Sequence, residues 1–257
     1  MNIPNLTLII PAYNEATRLP KTLETIYQYL EKHFSPLTYE ILVVDDGSTD
    51  ATAQVVQEFS KQIRSPEQLQ FVSNGKNYGK GYTIRHGFQK AHGEMVLFSD
   101  ADLSTPIEEL EKMIPALKTA DIVIASRNLK DSNIQIRQPW PRSLMGKTFG
   151  LLMRTFLLPE IRDSQCGFKL FKKTAVQWLL QQNLYINGFA FDIEFLYLAR
   201  KGGLLIQEVP VRWLNAEGTK VNPILDPLRM FFHLFWIRWH HSTVSPYQKN
   251  EEKTGPT

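Results

Sequence analysis

A single cysteine, Cys166, stands in 257 residues. No intrachain disulfide can form and no cysteine-based zinc site can be built, which points to a reducing, cytoplasmic setting. Charge of one sign is also scarce, since 29 basic and 26 acidic residues leave a net charge of only +3. That balance excludes recruitment of nucleic acid by long-range attraction, so any basic function must be local. No apolar run approaches the roughly 20 residues that cross a bilayer. Integral insertion is therefore not expected, while peripheral attachment to the cytoplasmic face of a membrane stays open. The start of the chain lacks a basic stretch followed by an apolar core and a small-residue cleavage site, so no secretion signal is read there. Repeats of fixed period and low-complexity blocks are missing as well.

What is there is ordinary globular material, 43% hydrophobic and 21% charged, patterned as alternating strands and helices. Leu6 to Pro11 is a short apolar run, followed by a loop and by Leu23, Ile26, Tyr27 and Leu30 at helical spacing. The same order returns with Glu40 to Val44 and a helix from Ala51 to Lys61, then with Gln70 to Ser73 and a helix through Gly81 to His92. Met95 to Ser99 and Ile122 to Ala125 flank a helix from Pro106 to Leu117, whose proline suits a first turn. These strand–helix units predict an α/β fold with a mostly parallel central sheet. Beyond Arg127 the pattern loosens, and Gln207 to Trp213 reads as one further strand. The expected organisation is a main domain over residues 1–222, an apolar aromatic helix over 223–241 and a disordered tail over 242–257.

Asp100-Ala101-Asp102 directly follows the strand Met95 to Ser99, at the edge where open α/β sheets bind ligands. Two carboxylates separated by one small residue can both reach a hard divalent cation, magnesium or manganese, of the kind that bridges protein to a diphosphate. A solvated cap is the plain alternative for such a triplet. Asp45 and Asp46 also close a strand. One of them is expected to accept hydrogen bonds from a nucleobase or ribose, while Ser48 or Asp50 caps the next helix. Asn74 to Gly81 has the glycines and lysine of a phosphate loop, but three residues rather than four precede Gly79-Lys80, and Gly81 stands where a Walker loop has Ser or Thr. A Walker ATPase is excluded, and the loop with Lys80 is expected to touch a nucleotide. Pro11 to Glu15 ends the first strand at the same edge.

Ile10 to Glu15, Val43 to Asp50, Asn77 to Gly81, Asp100 to Ser104 and Arg162 to Phe171, in that order over roughly residues 6–220, together resemble the inverting glycosyltransferases of family 2. The likeness is strongest to the branch that moves a sugar from a nucleotide to dolichyl or polyprenyl phosphate. It implies a GT-A-like, Rossmann-type nucleotide-sugar-binding domain, a nucleotide-sugar donor and a lipid phosphate acceptor. Gln165-Cys166 is similar to the glucosyltransferases of that branch more than to its mannose synthases, which implies UDP-glucose. Carried over, Pro11, Tyr13, Glu15 and Asp46, with Asp45 as the near alternative, cradle the nucleobase. Asp100 with Ala101 approaches the ribose or base side, and Asp102 holds the metal on the diphosphate. Arg127 pairs with phosphate, and Lys220 closes over the donor. In members acting on hydroxyl acceptors an aspartate such as Asp163 is the general base. A phosphate acceptor already carries a negative oxygen above about pH 6, which leaves Asp163 to orient a basic acceptor-binding residue, Arg142 or Arg162. Cys166 is read as packed rather than reactive.

Two other functions compete with lipid-phosphate transfer. One is transfer to a sugar hydroxyl of a cell-surface polysaccharide, with Asp163 as a true base; the other is a nucleotide-sugar-binding module without catalysis, against which Asp100 and Asp102 stand intact. Processive synthases are disfavoured because Arg212-Trp213 follows Val209 where their motif has glutamine. From Pro227 to Trp239 only Arg229, His233 and Arg238 are polar. A helix that apolar is expected either in the core or at a lipid interface.

Overall fold

The computed structural model describes residues 4–34, 38–135, 140–214 and 225–248, without the side chains of 140–145, 147 and 225–227. Along the chain lie β1 (Leu6–Ala12), α1 (Leu19–His33), β2 (Tyr39–Asp45), α2 (Thr52–Ser60), β3 (Leu69–Ser73), α3 (Lys80–Lys90), β4 (Met95–Ser99), α4 (Leu110–Leu117) and β5 (Ile122–Ser126). After them come β6 (Asn133–Ile134), α5 (Trp140–Phe156), β7 (Phe168–Lys172), α6 (Lys173–Leu180), α7 (Phe191–Gly202), β8 (Ile206–Pro210), β9 (Arg212–Trp213) and α8 (Leu225–His240). Seven strands form one sheet in the order β3-β2-β1-β4-β7-β5-β8, and β6 pairs with β9 in a second, two-stranded sheet.

The period of two in the strands divides the core. Leu6, Leu8 and Ile10 of β1 meet Leu23 and Ile26 of α1, Val56 of α2 and Met113 of α4 on one face. Ile9 points the other way, towards Ile84 and Phe88 of α3 and Phe191 and Phe195 of α7. Crossover helices thus cover both faces, as a parallel sheet requires. The exception to parallel pairing is β7, which runs antiparallel to both its neighbours, β4 and β5. Its first residue, Phe168, pairs with Ser99, the last residue of β4. The residues just before β7, Asp163 to Gly167, therefore lie beside Asp100 at the ligand-binding edge.

Several boundaries differ from the sequence reading. Gln207 to Trp213 is two strands: Pro210, which has no amide to donate, ends β8, and β9 pairs with β6 instead. The helix expected from Pro106 opens as a 3₁₀ turn, Ile107–Glu109, before α4. Residues 242–248, the start of the expected tail, make contact with the main domain. Tyr247 donates its amide to the Gly202 carbonyl at 2.8 Å and its hydroxyl to Thr174 at 2.8 Å, and its ring meets Trp178 edge-on. Residues 249–257 lie outside the described residues. The two faces of α8 differ in burial. Met230, Leu234 and Ile237 are buried against the main core, while Leu228, Phe232, Phe235, Trp236 and Trp239 are exposed, Trp239 by 82%. Among the described residues no helix is long and apolar enough to cross a membrane.

Candidate active site

β4 delivers Asp100, Ala101 and Asp102 to the carboxyl edge of the sheet. The turn is fixed by the backbone: the Asp100 amide donates to the Gly167 carbonyl at 3.0 Å and the Leu103 amide to the Asp100 carbonyl at 3.2 Å. Leu103 takes a positive φ of 46°, a conformation that a non-glycine residue keeps only where its surroundings enforce it. Thr22 donates from α1 to the Ala101 carbonyl at 2.6 Å. Asp102 accepts the Ser104 amide at 2.9 Å, so the carboxylate caps its own turn.

Ion pairs converge on this edge from elements far apart in sequence. Lys80, first residue of α3, places Nζ 2.5 Å from Oδ1 of Asp100. The other oxygen, Oδ2, lies so close to Gly167 that a Cβ there would sit 2.0 Å from it. Lys169 of β7 is buried, donating to Asp192 at 2.7 Å and to the Cys166 carbonyl at 2.6 Å, with its ammonium over the Phe98 ring. Arg127, just past β5, binds Asp163 three times: its amide and Nε donate to Oδ2 at 2.8 and 2.7 Å, and Nη2 to Oδ1 at 2.8 Å. The Arg127 guanidinium also stacks over Trp213. Among the described residues Asp102 forms no ion pair, although its charge helps to hold the Lys80 ammonium.

The charges perturb one another. Burial pushes the Asp163 carboxyl up, but the charge and hydrogen bonds of Arg127 outweigh it and hold Asp163 below its ordinary value. Burial likewise works against the Lys80 ammonium, and Asp100 and Asp192 more than restore it. Asp192 moves the other way, raised by burial despite Lys169 and Lys80. Cys166 is buried beside Thr105, and burial pushes its thiol up to about 11, in keeping with a packed, unreactive role.

The loops expected to cradle a nucleobase are largely occupied in building themselves. Asp46 accepts Asn74 Nδ2 at 3.0 Å and the amides of Tyr78 and Gly79 at 2.9 and 2.8 Å. Asp45 has its own donors, the amides of Gly47 and Ser48, which offset its repulsion with the neighbouring Asp46 carboxylate. The first-turn amides of α3, Gly81 and Tyr82, donate to the Asn187 carbonyl. This loop therefore presents the side chain of Lys80 rather than a ring of free backbone donors. Gly47, at φ +73°, has no room for a side chain, because a Cβ would meet the Lys76 backbone at 2.4 Å. Glu15 holds Arg18 through two 2.7 Å contacts, Pro11 lies at the end of β1, and Tyr13 is exposed nearby.

Asp163 orients Arg127 rather than Arg162, whose side chain is exposed and whose amide donates to Glu208 at 2.8 Å. Arg142 lies in the first turn of α5, with its side chain outside the described residues, as is the whole of Lys220. Gly167, Lys169, Asp192 and Glu208 were not anticipated. A lysine inside the apolar strand Phe168-Lys169-Leu170-Phe171 was the available signal, since a buried lysine requires a partner.

Asp100 and Asp102 offer hard oxygen ligands at a partly open mouth, which suits a divalent cation. No group of three or more His, Cys, Asp or Glu side chains able to hold a metal occurs among the described residues. Further ligands would have to come from a bound diphosphate.

Comparison with known proteins matches residues 7–180 to the model of "Glycosyl transferase family 2". Dolichyl-phosphate beta-glucosyltransferase of Drosophila melanogaster is 37% identical over 246 residues, 91% of this chain and 75% of that protein. The Homo sapiens protein of the same name is 34% identical, covering 93% and 76%. Glucosyl-3-phosphoglycerate synthase of Mycobacterium tuberculosis, solved with Mn2+ and UDP-glucose, superposes with a TM-score of 0.67 at 16% identity, over 91% of this chain and 79% of that one. That likeness carries the fold, which is the GT-A-like α/β architecture expected from the sequence. With two thirds of its length matched to the family model and relatives at this level of identity, the chain belongs to glycosyl transferase family 2.

Proposed function

We propose that this chain transfers glucose from UDP-glucose to dolichyl or polyprenyl phosphate at a membrane surface, with inversion and with a divalent cation on the diphosphate. The observation that carries the acceptor assignment is the Asp163 carboxylate, engaged by three donors of Arg127 and held below its ordinary pKa. Such a group is a poor base for a hydroxyl, which must lose a proton as it attacks. A phosphate monoester needs no base, because its second ionisation falls near about pH 6. The names of the relatives support the same acceptor and sugar.

In this mechanism a phosphate oxygen of the acceptor forms a bond to the anomeric carbon from the face opposite UDP. The bond from that carbon to the diphosphate breaks, and a β-linked product results. Asp100 and Asp102 would hold the divalent cation, which would supply positive charge to neutralise the departing diphosphate. Asp163 takes Nε and Nη2 of Arg127, leaving Nη1 to face a phosphate. Lys80 adds a positive charge on the donor side. Electrostatic stabilisation of this kind supplies the rate without an enzyme nucleophile. The outer face of α8, with Phe232, Phe235, Trp236 and Trp239 exposed, suits headgroup depth, where aromatic rings partition.

The test is incubation with radiolabelled UDP-glucose and polyprenyl phosphate, with Mn2+ or Mg2+ and with chelator. Metal-dependent, acid-labile label in the organic phase is expected. Release of UDP with label left in the aqueous phase would reject the lipid acceptor and favour a hydroxyl one.

A further inference from the structure

We infer that Lys80 and the divalent cation take turns on Asp100, so that the cation binds well only when a nucleotide diphosphate receives the displaced ammonium. The inference rests on the cation reading proposed above.

The first observation is that Asp100 already carries a cation: Oδ1 lies 2.5 Å from Lys80 Nζ, while Oδ2 is crowded by the Gly167 backbone, where a Cβ would sit 2.0 Å from it. A divalent cation on Asp100 competes with that ammonium, since two cations beside one carboxylate repel. The second is local charge. The Lys80 ammonium is held by Asp100 and Asp192 and, more weakly, by Asp102. A divalent cation brought to Asp100 and Asp102 meets that ammonium as a like charge, and a diphosphate can take up both, so cation and nucleotide each favour the other.

The third observation is mechanical. The backbone around Lys80 is fixed, with the Gly79 amide on Asp46 and the Gly81 amide on the Asn187 carbonyl. Only the flexible four-carbon stem is left to move, which makes the exchange a side-chain rotation. Asp192 does not need Lys80, because Lys169 neutralises it at 2.7 Å.

The test measures Mn2+ binding by the electron paramagnetic resonance of free Mn2+, without and with UDP, in the wild-type chain, Lys80→Met and Lys80→Arg. In Lys80→Met we expect nucleotide-free Mn2+ affinity to rise about tenfold and the reciprocal coupling between Mn2+ and UDP to shrink by the same factor. Lys80→Arg keeps the charge and is expected to stay near the wild type without nucleotide. A gain in affinity is not what general damage to the fold produces. Unchanged or weaker nucleotide-free binding in Lys80→Met, with Mn2+–UDP binding intact in the wild type, overturns the inference alone. Failure of the wild type to bind Mn2+ even with UDP overturns the cation reading and the inference together.

Discussion

The Asp163 carboxylate takes three hydrogen bonds from Arg127 while almost wholly out of water. Removing one partner of a buried pair leaves an uncompensated charge, so Arg127→Ala should cost about 3 kcal/mol or more in denaturant unfolding. The pair also sets an acid limit. Because the folded pKa of Asp163 is depressed, its stabilisation is complete above the ordinary carboxyl value of about 3.9 and is lost as pH falls through the lower folded value. Asp163→Asn should flatten the acid limb of unfolding free energy against pH; an unchanged slope would argue against this role. Gly167 is the other telling residue. An alanine there would place Cβ 2.0 Å from Asp100 Oδ2, forcing the carboxylate aside. Gly167→Ala should lower kcat by about 10²-fold with the circular dichroism of the native fold retained, and wild-type turnover would mean that Asp100 does not need its present position.

Among the elements, α8 carries one buried and one exposed apolar face. Leu234 is buried, and Leu234→Ala should cost about 2–5 kcal/mol. The double variant Trp236→Ala, Trp239→Ala alters only the exposed face and should leave stability within about 0.5 kcal/mol. It should also abolish flotation with phosphatidylcholine–phosphatidylserine vesicles; full retention on vesicles would remove α8 from the lipid-facing role. The end of α8 is tied inward as well. His241 Nε2 lies 2.9 Å from Glu194 Oε1, and Glu194 accepts the amides of Tyr185 and Ile186. Asn187, next in that loop, caps the first turn of α3 and so supports Lys80. Composition along 227–239 made an unusual helix visible, yet two apolar alternatives could not be told apart from sequence. Which side chains face the core depends on where α5 and α7 pack.

At the scale of the molecule, the parallel sheet was legible because its strands and helices alternate with clear periods, and the ligand edge was legible because acidic turns end β2 and β4. The pairings at that edge were not. Lys80 with Asp100, Arg127 with Asp163 and Lys169 with Asp192 are separated by 20 to 36 residues in the chain, and the latter two pairs depend on β7 being inserted antiparallel between β4 and β5. That reversal brings the start of β7 to the same edge at which β4 and β5 end, and nothing in the periodicity of Phe168 to Lys172 specifies direction. The arrangement gives the edge fixed cations and a saturated aspartate, which suits an acceptor that arrives already ionised. The most direct test compares polyprenyl phosphate with polyprenyl alcohol of the same chain length, each with radiolabelled UDP-glucose and Mn2+. Label passing to the phosphate alone is the expected result, and equal labelling of the alcohol would contradict the account by showing that the enzyme deprotonates its acceptor.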